Sequence, residues 1–199
     1  KDGVPEGWAT NALGDVADFR LGKMLDQEKN RGELMPYLAN VNVRWGTIDL
    51  SNLREMRFED HEVEVFGLKY GDIVMCEGGE PGRCAIWKDA APKMTFQKAI
   101  HRIRASDGMP YAYLYHHLRH HAQSGELSGL FTGATIKHLP REKLAKVSDL
   151  VPPPRLLEMF SEQVVPIERQ LAHLEAANHC SAKARDLLLP RLMSGEIEI

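Results

Sequence analysis

The sequence is poor in cysteine, in long apolar runs and in catalytic motifs, and each shortage closes off a class. Three cysteines, Cys76, Cys84 and Cys180, stand among 199 residues. They cannot all pair with one another and their spacing fits no zinc motif, so a reduced, cytoplasmic setting is expected. No stretch approaches the ~20 consecutive apolar residues that a membrane span needs. No secretory leader pattern opens the chain, and with Lys1 in place of Met a trimmed or subcloned start is expected. There is no G-x-G-x-x-G after a strand, so no dinucleotide fingerprint appears. Gly78-Gly79-Glu80-Pro81-Gly82 lacks the Lys-Ser/Thr of a phosphate-binding loop. No D/N-P-P-F/Y/W occurs, as amino-methylation of adenine would require, and no Asp…Glu-x-Lys set of the kind nucleases use for magnesium. The expectation is a non-enzyme with no catalytic residue, no metal and no directly bound cofactor.

What is present is a soluble, globular composition: 43% hydrophobic and 27% charged residues, enough for one core and an appendage. The net charge of −3 argues against nucleic acid only if it is spread evenly. It is not. Residues 49–80 carry a local charge of −6 and residues 83–146 a local charge of +7, with six histidines in the second window. A basic face for phosphate is one reading of this split. The other is that the charges scatter on folding.

Apolar spacing organises the chain. Residues 8–21 read as a turn and a strand, 22–33 as a polar loop, and 37–44 (YLANVNVR) as a strand by alternation. Residues 72–77 and 83–88 flank a Gly-rich tip and predict a hairpin. Residues 94–104 predict a strand, 110–122 a helix with Pro110 in its first turn, 129–137 loop and strand, and 139–151 a short helix and strand. Pro152-Pro153-Pro154 is the clear boundary, giving a globular domain over 1–151 and a helical region over 152–199. The fold class expected is α/β (mixed α+β), followed by a long C-terminal α-helix that forms a coiled-coil spacer.

The tail carries a heptad. Phe160, Ile167, Leu174, Ser181 and Leu188 form one row, and Val164, Leu171, Asn178, Arg185 and Leu192 the other. Such a stripe calls for a partner helix, and its polar middle sets register. The alternative is a tail that packs back on its own domain. As one helix, residues 166–194 would span roughly 40 Å at ~1.5 Å per residue.

His116, His117, His120 and His121 form two i, i+4 pairs, the spacing that lets two imidazoles share a metal. H-E-x-x-H is absent and no carboxylate lies near in sequence, so packed or solvated histidines are expected. DNA binding needs cations for phosphate and forked donors or amides for base edges. The candidates are Lys23, Lys29 and Arg31 in the first loop, Asn42 and Arg44 beside Trp45, Arg83 at the hairpin, and Thr135 and Lys137 after Thr132-Gly133-Ala134.

The order of segments resembles the specificity subunits of type I restriction-modification enzymes. The motifs that carry the likeness run through the whole chain. They are Pro5-Glu6-Gly7-Trp8 with Leu13-Gly14-Asp15-Val16, residues 37–43 with Gly46 and Ile48, and residues 68–74 (LKYGDIV) with Glu77, Gly78 and Gly82. They continue with Gln97, residues 110–115, Thr132-Gly133-Ala134-Thr135 with Leu139, Pro152-Pro153-Pro154, Glu162-Gln163 and residues 187–197 (LLLPRLMSGEI). The tail is the most specific. The resemblance implies a target-recognition domain for double-stranded DNA and a helix of the family's conserved region. It implies methyltransferase subunits that bind S-adenosylmethionine and a restriction-translocase subunit in the full complex. Family members carry two recognition domains and two helical spacers and read a bipartite site. This sequence has one of each, so a half-subunit pairing as a homodimer, or a fragment of a longer subunit, is expected. The second possibility for its function is an interaction module that captures methyltransferase without reading DNA.

Overall fold

The computed structural model describes residues 3–26 and 30–197. The chain divides into two compact units, Lys1–Met159 and Phe160–Ile199. The first unit is mixed α and β, as expected, and the second consists of most of one long helix.

The centre of the first unit is an antiparallel sheet of β2 (Ala17–Leu21), β8 (Ile100–Ala105), β5 (Ile73–Cys76) and β6 (Cys84–Ile86), in that order. β5 is buried at all four residues, and strand periodicity sends alternate side chains to two different cores. Ile73 and Met75 join Leu114, Tyr115 and Leu118 of α3 (Tyr111–Ser124), while Val74 and Cys76 join Trp87, Phe96 and Leu38. A strand covered on both faces reads as an unbroken apolar run, which is how IVMC reads.

A second sheet sets β3 (Glu33–Leu38) between β4 (Arg54–Phe58) and the short β7 (Thr95–Phe96). The third joins the two ends of the unit: β1 (Ala9–Ala12) pairs antiparallel with β9 (Ser148–Val151). The Leu-Gly-Asp segment in α1 (Leu13–Val16) adds to this closure. Leu13 N–H donates to Val147 O and Gly14 N–H to Ala145 O, just after α4 (Arg141–Leu144). A Cβ on Gly14 would sit 3.1 Å from the Ala145 carbonyl oxygen, so the close approach favours glycine.

The Gly-Asp-Ile motif also has a physical account. Gly71 takes a positive φ of 86° and its N–H donates to Trp87 O. Asp72 is buried, accepts the Lys69 N–H at 2.7 Å, and holds Arg104 by two bonds of 2.7 and 2.6 Å. The motif therefore ties the entry of β5 to β6 and β8.

Three local expectations shift. The strand read over 37–44 lies earlier: β3 ends at Leu38, and Asn40–Asn42 form a 3-10 turn. The run 94–104 breaks into β7 and β8 at Gln97, whose carbonyl accepts the Ile100 N–H. The strand within 129–137 is absent: Glu126–Leu130 is a 3-10 turn, and Thr132 and His138 make only an isolated bridge.

α2 (Asp60–Phe66) flanks the second sheet, with Phe66 packed edge-on to Phe96. α5 runs from Pro154 to Met193, 40 residues or roughly 60 Å at ~1.5 Å per residue. Pro166 and Pro190 lie inside it, each removing one backbone donor. It closes at Gly195, φ 73°, where Glu196 N–H reaches Arg191 O and Gly195 N–H reaches Leu192 O. Those two bonds are the Schellman pattern, which explains the Ser-Gly-Glu ending. No helix among the described residues is long and apolar enough to cross a membrane.

Candidate nucleic-acid interface and helix seam

Three loops that are far apart in sequence are tied together on the first unit. The first follows β3 and holds Asn40 to Gly46. Its turn is set by Asn42, whose side chain accepts the Ala39 N–H at 3.0 Å and donates to Asp49 O at 3.0 Å. The second is the tip of the β5–β6 hairpin. The Asn40 amide donates to Gly78 O at 3.1 Å, the Arg83 guanidinium donates to Asn40 O at 3.0 Å, and the Trp45 indole N–H donates to Glu80 at 3.0 Å. Gly79, φ 82°, lies so close to Asn40 that a Cβ would fall 2.6 Å from its amide nitrogen. The third loop runs between Thr132 and His138, which exchange two backbone bonds. Leu139 N–H donates to Glu77 O, and His138 meets the Glu77 carboxylate at 3.0 Å, which fastens this loop to the hairpin.

Arg44, Thr135 and Lys137 stand exposed on these loops. Val41 and Ile136 are exposed beside them, apolar groups of the kind that can meet a thymine methyl. Arg44 keeps only a loose contact with Asp49, 3.7 Å. Asp49 itself is held below its ordinary value chiefly by hydrogen bonds from Ser51. The acidic groups here are engaged: Glu80 pairs with Arg83 at 2.6 Å and Glu77 with His138. The surface can therefore offer donors without facing DNA with two unpaired carboxylates.

Other candidates are placed differently. Lys23 is buried, donates to Arg57 O at 2.8 Å, pairs with Glu62 at 2.5 Å and lies 5.0 Å from the Phe58 ring centroid. It braces the second sheet and has no ammonium to give a phosphate. Asn42 and the two terminal nitrogens of Arg83 likewise serve the loop frame. Arg31 is exposed, but β3 separates it from Asn40, about 20 Å at ~3.3 Å per residue. Lys29 lies outside the described residues. The basic window is also less basic than its sequence: Arg102 pairs with Asp18 at 2.7 Å and Arg104 with Asp72.

Asn40, Glu80, His138 and Arg119 are the members that residue-by-residue reading misses. Arg119 comes from α3, where its guanidinium approaches Gly46 and donates to Tyr115 at 3.4 Å. Only its one-turn spacing from Tyr115 hints at this. His117 and His121 are partly buried and meet a carboxylate, Asp149, which β9 brings from elsewhere in the sequence; His121 also meets Glu126, five residues on. Burial opposes the charge on Asp149, but His117 and His121 hold its carboxyl well below the usual range.

On α5, Ile167, Leu171, Leu174, Leu188 and Leu192 are exposed, and Phe160 and Val164 are half-buried. Asn178, Ser181 and Arg185 are exposed between them, with Arg185 donating to its neighbour Asp186 at 2.8 Å.

No family model matches the chain. It is similar to the type I restriction enzyme HindI specificity subunit of Haemophilus influenzae, 24% identical over 203 residues, covering 98% of this chain and 42% of that protein. It is also similar to the type I restriction enzyme MjaIX specificity subunit of Methanocaldococcus jannaschii, 22% identical over 204 residues, covering 98% of this chain and 46% of that protein. The chain thus spans less than half the length of these relatives. Among solved structures, the type I restriction-modification S subunit from M. genitalium matches with a TM-score of 0.62 at 15% identity, over 98% of this chain and 47% of that one. The HsdS subunit from Thermoanaerobacter tengcongensis matches with a TM-score of 0.57 at 19% identity, over 87% and 40%. The likeness read from the residues is found again in sequence and in fold, at the size of half a subunit.

Proposed function

We propose that this relative of the type I restriction specificity subunits reads one half of a bipartite DNA site with its first unit and pairs through α5 with a second helix of the same kind. The observation that carries this reading is similarity over 98% of the chain to two type I specificity subunits. The tied loops support it, because a base edge is read only by donors held in fixed positions. Arg44 and Lys137 supply cations, Arg44 with the forked donors that suit guanine, and Thr135 supplies a hydroxyl. Arg31 reaches phosphate at the far end of β3, and Lys29 belongs to the same loop in sequence. Lys23, Asn42 and Arg83 act as braces.

The α5 stripe supports the pairing. Exposed Ile167, Leu171, Leu174 and Leu188 at heptad spacing form the kind of stripe that loses contact with water against another helix. That helix belongs to a second copy or to a second spacer in a longer chain. In this reading the protein catalyses nothing. It docks methyltransferase subunits, which hold S-adenosylmethionine, and the restriction-translocase subunit joins the full complex.

The test is to express the chain with its cognate methyltransferase and map methylated sites across the genome. Replacing residues 1–151 by another recognition domain should change the half-site and leave the helical region's spacing intact. An unchanged motif after the replacement defeats the reading and leaves a methyltransferase-binding module without DNA recognition.

A further inference from the structure

A cluster on the opposite end of α3 from its Pro110 start has the form of a cation site. His117 and His121 lie one turn apart on α3, and Asp149 comes from β9. The Nε2 atoms of the two histidines are 3.1 Å apart, and His121 Nε2 is 3.5 Å from Asp149 Oδ1. His117 Nε2 closes the triangle by direct contact with the same oxygen. A tetrahedral zinc ion with bonds of ~2.0–2.1 Å has ligand-to-ligand edges of roughly 3.3 Å. Two sides of the triangle are already near that length.

A second observation concerns the other face of His121. Glu126, from the 3-10 turn after α3, contacts its Nδ1. A carboxylate behind a ligating histidine is the usual outer support of such sites, because it takes the Nδ1–H and leaves Nε2 for the ion. His117, His121 and Asp149 offer three ligand atoms that all lie within 4.8 Å of one another, and one bound cation can satisfy all three. The ligands are also held still. The Tyr113 ring stacks on His117 with centroids 5.5 Å apart, and its hydroxyl donates to Leu150 O at 3.0 Å, next to Asp149. The three side chains are 21%, 15% and 7% exposed, so none is wholly sealed from solvent.

We propose that His117, His121 and Asp149 bind a zinc-class divalent ion, with Glu126 supporting His121 and water completing the shell. The ion fastens α3 to β9, the strand that pairs with β1 and precedes Pro152. Two imidazoles and a carboxylate favour zinc over the oxygen-seeking magnesium ion.

The test uses the full chain, stripped with chelator and titrated with zinc chloride by calorimetry, with cobalt(II) absorption as a second readout. The expected result is a single equivalent bound, tetrahedral cobalt bands, a raised melting temperature with zinc, and no response to magnesium. His121→Gln and Asp149→Asn should each weaken binding at least tenfold, Glu126→Gln about tenfold, and Cys180→Ser not at all. Circular dichroism checks that the variants are folded. Absence of saturable binding by the unmodified chain overturns the proposal without recourse to any variant. So does full affinity in both ligand variants, which would assign the zinc to other histidines.

Discussion

Asp72 is 1% exposed and carries a carboxylate that the fold cannot leave alone. Its partner Arg104 is held above its ordinary value, first by the hydrogen bonds to Asp72. Removing one member of a fully buried pair leaves the other uncompensated and costs ~3 kcal/mol or more, and the cost falls as the remaining charge gains access to water. Arg104 is 32% exposed and can hydrate once its partner is gone, so Asp72→Ala should lower the urea unfolding free energy of the first unit by about 1–2 kcal/mol; a loss below ~0.5 kcal/mol would mean that solvent already screens the pair. Lys23 and Glu62 make a different experiment possible. Burial pushes Glu62 up, but the Lys23 ammonium and the Glu59 N–H outweigh it, and the carboxyl lies below its ordinary 4.5. A depressed acid stabilises the fold above its unfolded value and loses that contribution as pH falls through the folded one. Acid unfolding should thus begin below about pH 4.5 with a term from this pair. In Glu62→Gln, stability followed by urea melts should start lower at neutral pH and fall less steeply in acid. A variant with the slope of the unmodified chain would remove Glu62 from the acid transition.

The loops and α5 show how elements turn such contacts into surfaces. Gly79 lies at φ 82° with its missing Cβ aimed at the Asn40 amide. Alanine there incurs ~1–2 kcal/mol of left-handed strain and pushes Asn40 off Gly78 O. Gly79→Ala should lower melting temperature modestly and weaken DNA binding more than the stability loss explains, because it displaces Arg44's loop; a purely thermal effect would separate the tip from the interface. On α5, Leu174→Asp with Leu188→Asp places charge in the seam, which is costly unless paired. Light scattering should show loss of self-association or of methyltransferase capture, while the circular dichroism of the first unit's strands persists. An unchanged mass would count against the seam. The legible parts of these elements are the local ones. The hairpin could be read because Ile73 to Cys76 and Cys84 to Ile86 flank glycines, and the helix because its heptad repeats. The 37–44 segment misleads because Asn40 and Asn42 alternate with apolar residues as strand residues do. Asn42 instead bonds Ala39 N–H and Asp49 O, a local side-chain substitute for a ladder. Lys23 reads as a loop cation because its partner Glu62 is 39 residues away. Asp149 is hidden from the histidines in the same way, 28 residues from His121. Pairings of that range carry no periodic signal.

At the scale of the whole molecule, charge decides how DNA can be approached. A net charge of −3 gives no general attraction for a polyanion, so the proposed binding rests on a few placed cations. The fold narrows them further, since Lys23, Arg83, Arg102 and Arg104 are spent on internal carboxylates. Each phosphate contact contributes roughly −0.9 to the slope of log K against log salt. In the proposed reading Arg44 reads a base and only Arg31 and Lys137 meet phosphate, so the slope should be shallow, about −2 for one half-site. Lys137→Ala should reduce it by about one unit and weaken all sequences alike, as a phosphate contact does. Arg44→Ala should instead relax preference at one position if its fork reads a base. The same measurement bears on assembly. In the proposed reading, pairing through α5 doubles the contacts on a site with two half-sites, so the slope should double with it, to about −4. The Leu174→Asp, Leu188→Asp chain should fall back to the half-site slope on the same DNA. If paired and unpaired forms share one slope, the second copy does not touch DNA, and α5 joins this chain to a protein partner instead.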